Sequence, residues 1–337
     1  MIQCLAELPD EMIFHILHFK EIKFLFLVAS VVCKRWFQIV STIPISISSV
    51  TGSSNVMNIF NTSFQRVNLQ RLNLSRLKLG AKGVAVVVQS NHVGNLSGLG
   101  LLNNEIGDEG LELIASSKEM ARLTNLNVGY NGIQSIQCMM SKYMSNLTEL
   151  HCPENNITDI SSIIRLKKLV HLNISINPLG ADGAKLISNM SNLTSLNMHQ
   201  CGIQTKGAQY IASSPFLINL TELKLGANDI GDIGVESLAL SQNMKNLTVL
   251  NLSSSQIGKE GAKRIASSEV LSNLTELSLW KNNIGKEGAK YLSNSHVLGR
   301  LRILNLFGNN LQEEGIQAVV NSDYLKGLTE LNVRNNK

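Results

Sequence analysis

Aromatic residues make up only 5% of this 337-residue chain, and proline occurs 5 times. The chain is too long for one ordinary core. Scarce rings, against asparagine, leucine, serine and glycine recurring at short intervals, favour an elongated repeat over two compact domains. Cysteine is also sparse: Cys4, Cys33, Cys138, Cys152 and Cys201 are odd in number and form no CxxC pair. That excludes the signature of a disulfide framework or a zinc finger and suits a reducing compartment. The longest strongly apolar run, FLFLVASVV at 24 to 32, falls well short of the roughly 20 residues that span a bilayer. Acidic residues rather than a basic leader precede it, so it is a poor signal peptide and no membrane partner is expected. The formal charge is +5. Over residues 1 to 41, Lys20, Lys23, Lys34 and Arg35 balance Glu7, Asp10, Glu11 and Glu21, so the excess is spread thinly and argues against nucleic acid as a partner. The expected location is cytoplasmic or nuclear.

What the chain has in abundance is one pattern, L-x-x-L-x-L-x-x-N-x-I-G-x-x-G-A-x-x-I-A. Copies begin at Leu69, Leu96, Leu123, Leu147, Leu169, Leu193, Leu220, Leu247, Leu274, Leu301 and Leu328. Most lie 27 residues apart, with steps of 24, 22 and 24 in the middle. The last two leucines of LxxLxL are two residues apart, so both face one side of a short strand while the residue between them faces out. One such face buries too little alone, and stacking successive strands in parallel joins the leucines into a continuous core. The ninth-position asparagines (Asn104, Asn131, Asn155, Asn177, Asn228, Asn282, Asn309 and Asn336) carry both a donor and an acceptor and are expected to tie adjoining coils. Leu77, Cys201 and Ser255 replace them and should weaken that ladder locally.

Glycine pairs such as Gly231 and Gly234 mark a bend into a helix, and Ala262, Ile265 and Ala266 form its apolar stripe, with Lys259, Glu260 and Lys263 facing water. The copy at Leu147 has ITDISSIIRLKK in place of the glycines, which predicts a single 3₁₀ turn there. Pattern and period resemble the leucine-rich repeats, and the glycine-bearing form is most similar to the ribonuclease-inhibitor type. The resemblance implies an α/β horseshoe solenoid, with parallel strands on the concave face and helices on the convex face. Upstream, IPISISSV at 43 to 50 reads as a degenerate first coil, so residues 42–68 are expected to cap ten full repeats and a final strand over 69–337.

Residues 1–41 lie outside the repeat. Pro9 followed by Asp10 and Glu11 is a helix start, and Met12, Ile13, Ile16 and Leu17 share an apolar face. So apolar a helical unit of this size cannot bury its own surface and is expected to bind something. LPDEMIFHIL followed by VVCKRW resembles the F-box, a three-helix motif that docks a protein onto the Skp-type adaptor of a cullin-RING ubiquitin ligase. The resemblance implies adaptor docking through Leu8, Pro9, Ile16, Leu17, Val32, Cys33 and Trp36. Cys33 beside Lys34 and Arg35 could instead be a reactive thiol, but no base and third group accompany it, and a packed helical cysteine is the simpler reading.

His151, His171 and His199 occupy the fifth, third and seventh places of successive copies and do not line up as metal ligands. The N-L-T triplets mimic glycosylation sites but come from the repeat itself. The seventh position is small or polar in most copies, then becomes Trp280, Phe307 and Arg334 in the last three, with Lys281 beside them. Such a row on a strand face fits either a binding hot spot for a protein target or two rings packed on each other. The expected function is a substrate-recognition subunit of an SCF-type ubiquitin ligase, with no catalysis and no cofactor of its own. The alternatives are a leucine-rich-repeat scaffold without a ligase role and a Ran-type GTPase activator, a family whose usual acidic tail contrasts with the RNNK ending here.

Overall fold

A computed structural model describes residues 45–47, 69–90 and 93–337, the first of these stretches by its backbone alone. The described residues up to Val128, with Ser141–Asn146, form one compact unit, and Gly129–Met140 with Leu147–Lys337 form a second. The F-box-like residues Leu8, Pro9, Ile16, Leu17, Val32, Cys33 and Trp36 lie outside the described residues.

In the first unit, strands β1 (Ile45–Ile47), β2 (Leu69–Asn73), β3 (Gly98–Gly100) and β4 (Asn125–Asn127) pair in parallel and in sequence order. The register between β1 and β2 slips once, so Ile45 faces Leu69 and Ile47 faces Leu72. Helices α1 (Gly80–Gln89) and α2 (Gly107–Ser116) follow β2 and β3.

The second unit repeats the scheme with β5 (Glu149–His151), β6 (His171–Asn173), β7 (Ser195–Asn197), β8 (Glu222–Lys224), β9 (Val249–Asn251), β10 (Glu276–Ser278), β11 (Ile303–Asn305) and β12 (Glu330–Asn332). Their middle leucines stand in register from Leu150 through Leu172, Leu196, Leu223, Leu250, Leu277 and Leu304 to Leu331. The period-two alternation sends Leu150 through Leu304 and the sixth-position leucines, such as Leu252, Leu279 and Leu306, into the core, while Leu331 on the last strand is half-buried. Each buried leucine is worth roughly 1.5–3 kcal/mol. Helices α3 (Gly180–Ile187), α4 (Gln204–Ala212), α5 (Gly231–Leu240), α6 (Lys259–Ala266), α7 (Gly285–Ser293) and α8 (Gln312–Val320) pack neighbour on neighbour. On α6 the predicted stripe of Ala262, Ile265 and Ala266 is buried and Lys259, Glu260 and Lys263 are exposed. The copy at Leu147 carries the predicted 3₁₀ turn, Ile163–Arg165.

The glycines do two different jobs. Gly231 opens its helix at φ +61, a left-handed conformation that side chains resist, whereas Gly258 is extended, and its N–H is held instead by Asp232 Oδ1 at 2.7 Å. The second glycine of each block permits close approach: a Cβ on Gly207 would lie 2.5 Å from Ile203 Cβ and 3.1 Å from Ala184 Cβ on the preceding helix.

The asparagine ladder ties coil to coil. Asn228 Nδ2 donates to the carbonyls of Met198 (2.7 Å), Leu225 (2.9 Å) and Gly226 (3.2 Å), while its Oδ1 accepts from the N–H groups of Cys201 (2.8 Å) and Ile203 (3.3 Å). Of the three predicted weak rungs, Leu77 brings no polar side-chain atom, and Ser255 and Cys201 are half-rungs. Ser255 Oγ donates to Leu225 O (3.4 Å) and Ser253 O (3.1 Å), and Cys201 Sγ donates to Ile174 O (3.3 Å), so both keep the donor and lack the amide acceptor. Ser255→Asn will therefore restore an acceptor facing the previous coil and raise stability by about 1 kcal/mol in denaturant unfolding. No change or a loss would show that this coil has no room for the amide.

The N-L-T triplets are also structural. Asn192, Asn246 and Asn273 donate from Nδ2 to the carbonyls of Lys167, Ile218 and Lys245 in the preceding coils at 2.6–2.9 Å. Thr221, Thr248 and Thr275 repeat the device with their hydroxyls.

Candidate functional site

On the strand face of the second unit, the third, fifth and seventh positions alternate with the core leucines, and Ser175, Ser253 and Ser278 among them are themselves buried. The sequence-predicted residues Trp280, Lys281, Phe307 and Arg334 fall directly after β10, β11 and β12. The Trp280 and Phe307 rings lie 6.3 Å apart between centroids, tilted by 56°. Lys281 Nζ stands 4.8 Å from the Trp280 ring centroid, within range of a cation–π attraction. The backbone fixes this cluster, since the Lys281 N–H donates to Phe307 O at 2.7 Å and the Gly308 N–H to Arg334 O at 3.0 Å. Both rings are only half-buried, while Lys281 and Arg334 are exposed. The rings pack on each other, as the second reading of the sequence has it, and still present a face to solvent.

Two features of this face went unread in the sequence. The fifth-position asparagines lock themselves into turns, with Asn251, Asn305 and Asn332 each accepting through Oδ1 from the N–H two residues on, at 3.0–3.2 Å. Their Nδ2 groups have no protein partner among the described residues, which leaves three amide donors on β9, β11 and β12. The signal was the recurring asparagine in LNL and LNV, overshadowed by the ladder asparagine four residues later. The third position gives Val249, Glu276, Ile303 and Glu330 in register across β9–β12. Glu276 is half-buried and takes no cation or hydrogen-bond donor among the described residues. Beneath the cluster the ladder has another half-rung: the buried Asn309 Oδ1 lacks a partner among the described residues, while its Nδ2 still donates to the carbonyls of Leu279 and Leu306.

Farther along the same face, Glu222 is bound by Lys224 and by the Ser195 hydroxyl at 2.6 Å. Burial alone would raise this carboxyl, but the hydrogen bonds from Lys224 and Ser195 hold it below the usual carboxylate range. His151 is lowered from 6.5 by burial, which outweighs Glu149, and nearby His171 lowers it further; His199 is lowered by burial. A histidine with a depressed folded pKa keeps its stability contribution above the unfolded value and loses it as pH falls from there toward the folded value. Stability will accordingly decline as pH drops below about 6.5, and the combined His151→Asn and His199→Asn variant will flatten that decline in urea unfolding series. An unchanged slope would exclude these imidazoles as its source.

Among the described residues, no group of three or more His, Cys, Asp or Glu is placed to hold a metal ion, and no helix is long and apolar enough to cross a membrane. Burial pushes the Cys152 thiol up to about 12 and the Cys201 thiol up to about 11, which disfavours the reactive thiolate in both.

Comparison with known proteins agrees with this architecture. One leucine-rich-repeat family model matches residues 121–179, and a second matches residues 99–115, 189–212, 217–239, 243–266, 270–293 and 301–320. Among curated proteins none matches the sequence. The internalin inlF of Listeria monocytogenes str. 4b F2365 is similar in structure, with a TM-score of 0.57 and 20% identity over 95% of this chain and 93% of its own. Internalin C2 (inlC2) of the same strain aligns with a TM-score of 0.45 and 22% identity over 63% of this chain and 83% of its own. Parallel one-strand coils, the asparagine ladder and the matched repeats together place the chain among the leucine-rich-repeat proteins.

Proposed function

We propose that the protein is a binding scaffold that holds a protein target on the strand face around Trp280 and Phe307. The observation carrying this reading is the half-exposed aromatic pair, on a face that also carries Lys281, Arg334 and three uncommitted amides. Large rings in a fixed position contribute contact area at low entropic cost, and Trp and Arg dominate interface energetics. The scaffold does no chemistry of its own on this reading.

The amino-terminal LPDEMIFHIL and VVCKRW segments support a finer form of the same proposal. In it, Leu8, Pro9, Ile16, Leu17, Val32, Cys33 and Trp36 dock a Skp-type adaptor, and the target is brought to a ubiquitin ligase in the cytoplasm or nucleus. The contribution would be proximity, raising the local concentration of target lysines near a ubiquitin-loaded enzyme. Affinity capture of the intact chain tests both halves. The adaptor is expected with the wild type and not with a Leu8→Ala, Trp36→Ala variant, which should still retain the target. Absence of the adaptor from wild-type captures would remove the ligase role and leave the scaffold.

A further inference from the structure

The three columns of the strand face differ in chemistry, and over β9–β12 they describe one kind of ligand. At the third position, the strand register sets Glu276 between Val249 on one side and Ile303 on the other, with Glu330 beyond. Neighbouring strands lie about 4.8 Å apart, so the two aliphatic side chains stand roughly 10 Å from each other with the carboxylate between them. A carboxylate with apolar walls suits a side chain that ends in a cation and carries a methylene stem, because the stem packs on the walls while the charge meets the oxygen. Glu276 is half-buried and unpaired among the described residues, unlike Glu222, whose charge Lys224 and Ser195 already answer.

The fifth position supplies Asn251, Asn305 and Asn332, whose oxygens are spent on their own turns and whose Nδ2 groups remain to donate. Donors without acceptors call for carbonyl groups, which an extended peptide backbone provides. At the seventh and eighth positions stand the Trp280–Phe307 pair, Lys281 and Arg334. The two edges of the face therefore carry opposite signs, Glu276 and Glu330 against Lys281 and Arg334. They lie four or five residues apart along each coil, across a three-residue strand and the turn after it, on the order of 10–15 Å.

We propose that this face takes an extended peptide segment carrying a lysine or arginine, whose cation meets Glu276 between Val249 and Ile303 while its backbone carbonyls accept from the three asparagine amides. An apolar side chain of the segment covers Trp280 and Phe307, and the charge pattern orients its basic side toward the Glu276 edge. The inference rests on the strand face being the binding surface and adds the class of segment it selects.

The test is selection of a displayed random peptide library on the intact protein, on Glu276→Lys and on Trp280→Ala. The wild type will enrich peptides with lysine or arginine at a fixed spacing from an apolar residue. Glu276→Lys will weaken those peptides at least about tenfold and select aspartate or glutamate at the same spacing. Trp280→Ala will weaken peptides of both kinds. Circular dichroism and the milder Glu276→Gln variant, expected to lose the basic preference without inverting it, separate recognition from misfolding. Peptides that depend on Trp280 but show no basic preference, or a basic preference that survives Glu276→Lys, would overturn the inference and leave the binding surface standing. Enriched peptides indifferent to Trp280→Ala would overturn the surface itself.

Discussion

Asn228→Leu will destabilise the second unit by about 4 kcal/mol, the largest effect expected of any single substitution outside the leucine core. Leucine matches asparagine in shape but has no polar atoms. Its presence strands the Cys201 and Ile203 N–H groups and the Met198 carbonyl, all now satisfied by one amide at 2.7–3.3 Å. Each buried group left without a partner costs about 1–3 kcal/mol. The site is 1% exposed, so water cannot compensate. Because each coil touches mainly its neighbours, the damage will show first as local opening around α4 and α5 in hydrogen exchange, and then as a lower unfolding midpoint. A cost below about 1 kcal/mol would mean that leucine stacking alone holds the coils.

The second large effect concerns recognition. Replacing Trp280 and Phe307 together by alanine will weaken target binding about a hundredfold, close to 3 kcal/mol, measured by calorimetry with the captured target. Both rings are half-exposed and leave the leucine core untouched, so the unfolding midpoint will move little. The Lys281 side chain, now lying over the indole at 4.8 Å, loses its support in the same variant. Lys281→Ala alone will therefore have a smaller effect, of about 0.5–1 kcal/mol. Equal affinity of the double variant and the wild type would move the binding surface away from these coils.

Much of the architecture was legible because two periods are superimposed. The alternation within LxxLxL assigns Leu250 and Leu252 to one side, and the repeat distance assigns each leucine its neighbour in the next strand. Loss of the glycine block likewise announced the 3₁₀ turn at Ile163–Arg165. The sequence pattern is poorer at distinguishing atoms that do similar work. Ser255 and Cys201 break the asparagine motif, yet each still offers a donor to a neighbouring coil, so the ladder loses half a rung rather than a whole one. Gly258 matches the glycine block without adopting its left-handed turn, since Asp232 holds its N–H from the preceding helix.

Part of the candidate face was legible. Trp280, Lys281, Phe307 and Arg334 stood out by size in a column of small residues, and the structure brings the first three into contact range. Glu276 did not stand out, because glutamate recurs at the third position and only the surroundings separate a paired Glu222 from an unpaired Glu276. The Asn251, Asn305 and Asn332 amides were hidden for a related reason: which end of an amide is occupied depends on a backbone N–H two residues away. The adaptor-docking residues Leu8 to Trp36 rest on motif alone.

Site-directed photocrosslinking measures directly whether the strand face is the surface that meets a protein. A photoreactive residue placed at Asn305, between the rings and the Ile303 column, is compared in cells with one at Glu313 on the outer side of α8. A strand-face contact will give a discrete crosslinked product from position 305 that disappears with Trp280→Ala, and none from position 313. Crosslinking from 313 alone, or from 305 without regard to Trp280, would contradict it.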